Sequence, residues 1–459
     1  MSLSRKAVPI CLALLALAAI CPAQVADEVP NRARIQAYVI AFNAGEEAMA
    51  EFLKNNVADA ALLQRSVPDR LAIYRQMRQR LQHLEVRGFP RVEISGREFA
   101  VTALAQTAAG AVDLTFHFDP QPPNKLLFLS VEDAGGRPGG DAAAQPAAAP
   151  ITQAELIAKV SEHLEAAAGK DAFSGVVLIA RHGEPIFQKA YGFADRDRHI
   201  PNNVETRFNL GSINKAFTRI AIEHLAQQGK LSLDDKLGKF LSDYPNREAA
   251  EKVTVRQLLT MTSGIGDFFG ERYQAADRSK IRSLADYLPL FADKALLFPP
   301  GTQNRYSNGG YIVLGLIIEK VSGQNYYDYV KQHIFEPAGM KDSDWYLLSE
   351  PTPNRAEGYT EEDGGGRHSN RGTLPARGSS AGGGYSTAPD LLRFANALAA
   401  HKFGDNAGLG IAGGSPGVNA ALESNPQTGN TIVVLSNLDP PTAEATTRQI
   451  RAWMAGLAK

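Results

Sequence analysis

Apolar positions recur at helical spacing early in the chain, as Ile35, Val39 and Phe42 in one segment and then as Leu63, Leu71, Tyr74, Met77 and Leu81. This pattern predicts two or three helices. It then gives way to short strand-like runs around Arg91–Ile94, Glu98–Ala105, Val112–Phe118 and Lys125–Val131, separated by turns such as Asp119-Pro120-Gln121-Pro122-Pro123. Helices followed by strands make a small α+β domain over residues 24–134. From Ile151 onward helical and strand-like segments alternate, with many Gly turns and no internal repeat, which predicts a second and larger mixed domain over residues 151–459. Between the two, Gly135-Gly136-Arg137-Pro138-Gly139-Gly140 and the Ala-rich and Pro-rich stretch to Pro150 offer nothing large and apolar to bury. Residues 135–150 therefore read as a flexible linker.

The extreme N-terminus has a different pattern. Arg5 and Lys6 precede the apolar run Val8 to Ile20, and Cys21-Pro22-Ala23 follows. Charged region, apolar region and small-residue site make residues 1–23 a signal peptide cleaved near Ala23, since the run is short of the roughly 20 apolar residues of a membrane span. A secreted or periplasmic protein with no transmembrane segment after cleavage is the expectation. The two cysteines, Cys11 and Cys21, both fall in this leader, so disulfides, Cys-zinc sites and cysteine nucleophiles are excluded from the mature chain.

Composition narrows the partners further. With 48 Lys plus Arg against 49 Asp plus Glu in 459 residues, no global basic field exists to attract nucleic acid or anionic lipid. The histidines show no zinc-ligand spacing, so neither a metal nor another cofactor is expected. A small uncharged substrate fits this balance.

One short pattern carries chemistry. In Leu210-Gly211-Ser212-Ile213-Asn214-Lys215, the serine precedes Ala216, Phe217, Ile220, Ala221 and Leu225 at helical spacing. Ser212 is thus expected at a helix start, where the N-terminal field favours developing negative charge. Lys215, three residues on, returns to the same face, and a desolvated lysine can accept a serine proton. Spacing alone favours the plainer reading, an N-cap serine with a solvated lysine. A second element is Tyr306-Ser307-Asn308, after the turn Pro299-Pro300-Gly301 and before the apolar run Tyr311–Ile318. A phenol there can exchange a proton if a cation lowers its pKa, and the Asn308 amide can bind a substrate amide. The same spacing recurs at Tyr244-Pro245-Asn246, in what reads as a surface turn.

Together with Val255–Gly264, Phe298–Thr302, Ile334–Met340, Gly383–Leu391 and Val433–Asn437, these motifs resemble the serine β-lactamase, D,D-peptidase and esterase family over about residues 151 to 440. The resemblance implies a β-lactamase/D,D-peptidase-like fold, an antiparallel sheet flanked by helices with a helical subdomain. It also implies an acyl-enzyme on Ser212, with Lys215 and Tyr306 managing the proton and Asn308 orienting the substrate. Relatives carry Lys-Thr-Gly or a His-containing equivalent on a strand beside the serine, whereas this chain has Ile411-Ala412-Gly413-Gly414. The cation is lost, but the Gly414 N–H is implied to pair with that of Ser212 around the oxyanion. The segment between the helix at Leu391–Ala399 and this strand is also short. The expected activity is hydrolysis of small esters or amides. The alternatives are a D,D-peptidase or β-lactamase proper, with Arg371 or Arg377 replacing the missing cation, and a catalytically weak or inactive binding protein on the same fold.

A rival reading comes from Gly413-Gly414-Ser415-Pro416-Gly417, which fits the Gly-x-Ser-x-Gly elbow of α/β-hydrolases. That fold needs a histidine downstream of its serine, and the last one here, His401, is upstream. Ser415 reads as a turn residue. The small first domain shows no catalytic cluster, and its helices-then-sheet order resembles the cone-shaped fold of nuclear transport factor 2 and its relatives.

Overall fold

The structure, a computed structural model, describes residues 31–58, 61–62, 66–95, 98–107, 110–119, 124–133, 151–361, 366–404 and 409–457. The leader at residues 1–23 and the linker at residues 135–150 lie outside them. The chain divides into two compact units, residues 1–142 and 143–459.

In the first unit, helices α1 (Arg32–Ala44), α2 (Glu46–Asn56) and α3 (Val67–Leu81) precede strands β1 (Glu85–Ser95), β2 (Glu98–Thr107), β3 (Gly110–Phe118) and β4 (Leu126–Asp133). The strands form an antiparallel meander in chain order. β1 begins earlier than its hydrophobic pattern predicts. Register shifts between Val86 and Gly88 and between Gly88 and Arg91 break the alternation on which the reading rested. Ile35, Phe42, Val57, Leu114 and Phe116 form this unit's own core.

The second unit is built on a five-stranded antiparallel sheet whose strands come from the two ends of its sequence. Helix α4 (Gln153–Gly169), β5 (Gly175–Arg181) and β6 (Glu184–Tyr191) open it, while β7 (Leu409–Ser415), β8 (Val418–Asn425), β9 (Asn430–Ser436) and a C-terminal helix close it. The strand order is β7-β8-β9-β5-β6, so β7 is an edge. Alternating side chains of the central strands face opposite layers. Val177, Ile179 and Val434 pack under α4 and the C-terminal helix, while Val176, Leu178, Val433 and Leu435 join the main core on the other face.

Helices inserted between β6 and β7 fill that second face: α5 (Asn214–Gln227), α6 (Asn308–Ser322) and α7 (Ala388–Ala399), followed after β9 by the C-terminal helix α8 (Thr442–Met454). The apolar run after Tyr306 forms α6, whose start is capped by the Ser307 hydroxyl accepting from Gly310 N at 2.8 Å. Every residue from Gly309 to Ile318 is buried, so α6 is a central helix, apolar on all sides. Phe217 of α5 meets Phe335 and Phe394 edge-on, at 5.0 and 4.9 Å between ring centroids. Among the described residues, no helix is long and apolar enough to cross a membrane.

Candidate active site

Three stretches of backbone converge on Ser212. The serine lies in a single tight turn, Gly211–Ile213, that runs straight into α5. Gly211 has φ +50, in the left-handed region where glycine is favoured. Phe208–Asn209 pairs with Tyr385–Ser386, and the Asn209 side chain accepts from Gly211 N at 2.9 Å. On the other side stands the free edge of β7. A Cβ built on Gly413 would lie 2.1 Å from Leu210 O and 2.6 Å from Ser212 N, so only glycine lets this strand come so near.

Lys215 is the second residue of α5, one turn on from Ser212, and is only 5% exposed. Its Nζ is 3.1 Å from Ser212 Oγ, 2.7 Å from Asn308 Oδ1 and 2.5 Å from Ala381 O. Burial lowers its pKa to about 7, against the opposing attraction of Asp267. The two oxygens of Ala381 and Asn308 can only accept. A neutral Lys215 therefore donates its two N–H bonds to them and has its lone pair left for the Ser212 hydroxyl.

Tyr306 stands across the serine, its OH 2.5 Å from Ser212 Oγ, and Lys215 Nζ is 4.7 Å from its ring centroid. The expectation of a phenol made acidic by a neighbouring cation needs correcting. Tyr306 is half exposed, and the partial desolvation it does undergo raises its pKa, with the hydrogen bond to Ser212 opposing and the Asp267 charge adding to the rise. The phenol is thus neutral around pH 7, and Lys215 is the group whose pKa suits a base.

Asn308 is the first residue of α6, and its amide is engaged at both ends. Oδ1 accepts from Lys215, and Nδ2 donates to Asp267 Oδ2 at 2.7 Å. One amide N–H remains for another acceptor. Asp267 escaped the sequence reading: it sits in Gly264-Ile265-Gly266-Asp267-Phe268, 41 residues before its partner, in no motif. The Ala381 carbonyl was equally invisible, since a backbone oxygen has no sequence signature.

Gly414 lies beside the serine as well. The turn Pro416-Gly417 makes Ser415 and Val418 the closing pair of the β7–β8 hairpin, with Gly414 opposite Asn419 in the next rung. Hydrogen-bonded and non-bonded rungs alternate, so the Gly414 N–H points away from β8 toward the open edge. A Cβ built on Gly211 would lie 2.9 Å from Gly414 N. The amides of Ser212 and Gly414 thus border one small space, the first at a helix start with no intrahelical partner. These groups line a cavity of about 910 Å³ whose walls include Phe268, Phe269, Tyr273, Tyr287, Leu348 and Leu374.

The Beta-lactamase family model matches residues 159–408. This chain belongs to the Beta-lactamase family. The members of that family are serine hydrolases. Among curated relatives, the putative penicillin-binding protein PbpX of Bacillus subtilis is 35% identical over 52% of this chain and 57% of its own length. Penicillin-binding protein 4* of the same organism is 35% identical over 41% of this chain and 42% of its own. The chain spans about half the length of these curated relatives. A solved penicillin binding protein from Bacillus halodurans is 31% identical, with TM-score 0.58, covering 63% of this chain and 99% of that one.

The family match ends at residue 408, and β7 begins at Leu409. Where Beta-lactamase relatives place a third-motif cation, Ile411 shares the strand face of Gly413 and packs against the main core. Neither arginine considered as a replacement lines the cavity. The Arg377 guanidinium lies 3.7 Å over the Tyr327 ring and donates to Trp345 O, and Arg371 donates to Leu348 O. The lining cations are Lys215, Arg219, which is paired with Glu223 at 2.8 Å, and Arg278, which donates to Gly372 O and Gln274 O.

The remaining sequence candidates stand outside the chemistry. Ser415 is the last residue of β7 and pairs with Val418, so it borders the turn Pro416-Gly417 and does not lie in it. Tyr244 is buried, and Asn246 caps the helix Arg247–Lys252. Among the described residues, no group of three or more His, Cys, Asp or Glu could hold a metal ion.

Proposed function

We propose that the protein is an acyl-transfer hydrolase acting on small esters or amides through Ser212, exported by the leader at residues 1–23. Neutral Lys215 takes the Ser212 proton as Oγ attacks the substrate carbonyl carbon. The resulting oxyanion is held by the N–H groups of Ser212 and Gly414. Collapse expels the alcohol or amine, which takes the proton back from Lys215 along the phenol of Tyr306. Water then adds to the acyl-enzyme by the same proton path in reverse and releases the acid. Asn308 holds Lys215 and offers its free N–H to substrate. The observation that carries this reading is the buried Lys215, its pKa near 7 and its Nζ 3.1 Å from Ser212 Oγ.

The substrate class follows from β7. An apolar Ile411 where relatives carry a cation gives a substrate carboxylate no partner there, a loss of about 1–3 kcal/mol. Neutral acyl esters are favoured over penicillins. The test is hydrolysis of p-nitrophenyl butyrate and of nitrocefin, with fluorophosphonate labelling located by mass spectrometry. Labelled Ser212, ester turnover exceeding nitrocefin turnover, and loss of both in Ser212→Ala are expected. A folded protein with no adduct on Ser212 would favour a binding protein on this fold.

A further inference from the structure

The Asp267 carboxylate makes contacts that the acylation chemistry above does not use. Its Oδ2 accepts from Asn308 Nδ2 at 2.7 Å and from Asn308 N at 3.4 Å, and its Oδ1 accepts from Phe269 N at 3.0 Å. An ionised carboxylate only accepts, so the nitrogen end of the Asn308 amide has to face it. The oxygen end is thereby turned to Lys215 Nζ, 2.7 Å away. A half-turn of that amide would set N–H groups against the lysine and remove one of the two acceptors that direct its N–H bonds away from Ser212.

We propose that Asp267 is a positioning residue for acylation: it fixes the Asn308 amide, and through it the direction in which Lys215 presents its lone pair to Ser212. This rests on the reading of Ser212 and Lys215 as nucleophile and base. The charge of Asp267 has a second effect, because its attraction for the ammonium opposes the desolvation of Lys215. The other groups facing that nitrogen are the rings of Tyr306 and Tyr311, with centroids at 4.7 and 5.5 Å. Arg219, one turn further along α5, is held by Glu223.

Two variants separate orientation from charge. Asp267→Asn can keep an oxygen toward Asn308 Nδ2, at the expense of the bond from Phe269 N, but carries no charge; Asp267→Ala loses acceptor and charge together. The measurement is single-turnover acylation of Ser212 by p-nitrophenyl butyrate as a function of pH, followed by intact mass. In Asp267→Asn the midpoint of the pH profile should move down by about half a unit to one unit, because a charge that favours the ammonium has gone. In Asp267→Ala the plateau rate should fall about tenfold or more while KM stays within about twofold, as expected for a misdirected base. Equal losses in both variants with an unmoved midpoint would mean that Asp267 serves only its own turn, and would overturn the proposal. Should Asp267→Ala not fold, Asp267→Ser takes its place, and a plateau rate there within about twofold of wild type overturns the proposal. Wild-type protein that forms its acyl adduct elsewhere than on Ser212 would instead remove the underlying reading, an outcome that peptide mapping distinguishes.

Discussion

At the scale of single residues, the site is set by competition between burial and charge at Lys215. Desolvation disfavours the ammonium, the Asp267 charge restores part of the loss, and the balance lies at about 7. The reactive form is the neutral amine, so acylation should rise about tenfold per pH unit below that value and level off above it. Tyr306, raised above the ordinary phenol pKa, should cause no fall on the alkaline side below about pH 10. The check is the pH dependence of single-turnover acylation; a profile flat from about pH 5 to about pH 9 would mean that Lys215 is not the base. The same group bears on stability. Its folded pKa is below the unfolded one, so the unfolded chain binds the extra proton between the two values. The Lys215 contribution to stability therefore improves as pH rises from about 7 toward the ordinary lysine value, and its cost is fully present below 7.

Ser212, Lys215, Tyr306 and Asn308 could be picked out because two short spacings, each ambiguous alone, lie among further passages that resemble one family in the same order. What spacing could not give was direction. Whether Tyr306 becomes more or less acidic depends on how far the fold buries it, and Asn308 faces Lys215 because Asp267, distant in sequence, takes its other end.

At the scale of elements, β7 is where local sequence and chemistry are most tightly joined. Its side chains alternate, so Leu409, Ile411 and Gly413 lie on the face toward the main core and the serine, while Gly410, Ala412 and Gly414 lie on the other. Gly413 cannot carry a Cβ without moving backbone at Leu210 and Ser212, whereas a Cβ on Gly410 meets nothing within 4 Å. Gly413→Ala should therefore push the strand edge from the serine, reduce acylation about 100-fold or more, and destabilise the fold by about 1–3 kcal/mol. Gly410→Ala should change the rate by less than about twofold, since it adds a methyl in open space. Thermal unfolding and acylation of the two variants provide the check, and equal effects would mean that β7 does not form the wall of the oxyanion site. The strand could be placed from sequence by its order after α7, but its loss of the third-motif cation could not be judged. Only the packing of Ile411 on the main core shows that the position is filled by an apolar contact.

At the scale of the whole molecule, helices followed by strands could be read from the change of hydrophobic period in the first unit, and the larger unit from its motifs. That the sheet of the larger unit joins strands from its two ends was not legible from periodicity, because β5 and β9 are separated by most of that unit's sequence. This closure has a consequence for dissecting the chain. The core of the first unit, with Phe42 and Phe116, shares no residue with the two clusters that sandwich the five-stranded sheet. Ser212, Lys215, Tyr306, Asn308, Asp267 and Gly414 all come from the second unit, as does the whole family match at residues 159–408. Residues 151–459 expressed alone should fold cooperatively and acylate Ser212 at a rate within about threefold of the full chain, since among the described residues their core clusters and the cavity lining are formed by side chains of the second unit. A C-terminal deletion that removes β8, β9 and α8 should instead abolish folding, because it takes away one of β5's two partner strands and one of the two helices covering that face of the sheet. Circular dichroism melts and fluorophosphonate labelling of the fragments test both statements. If residues 151–459 prove insoluble while the intact chain is soluble, the first unit contributes to the stability of the second, and the division would be one of structure without independence in folding.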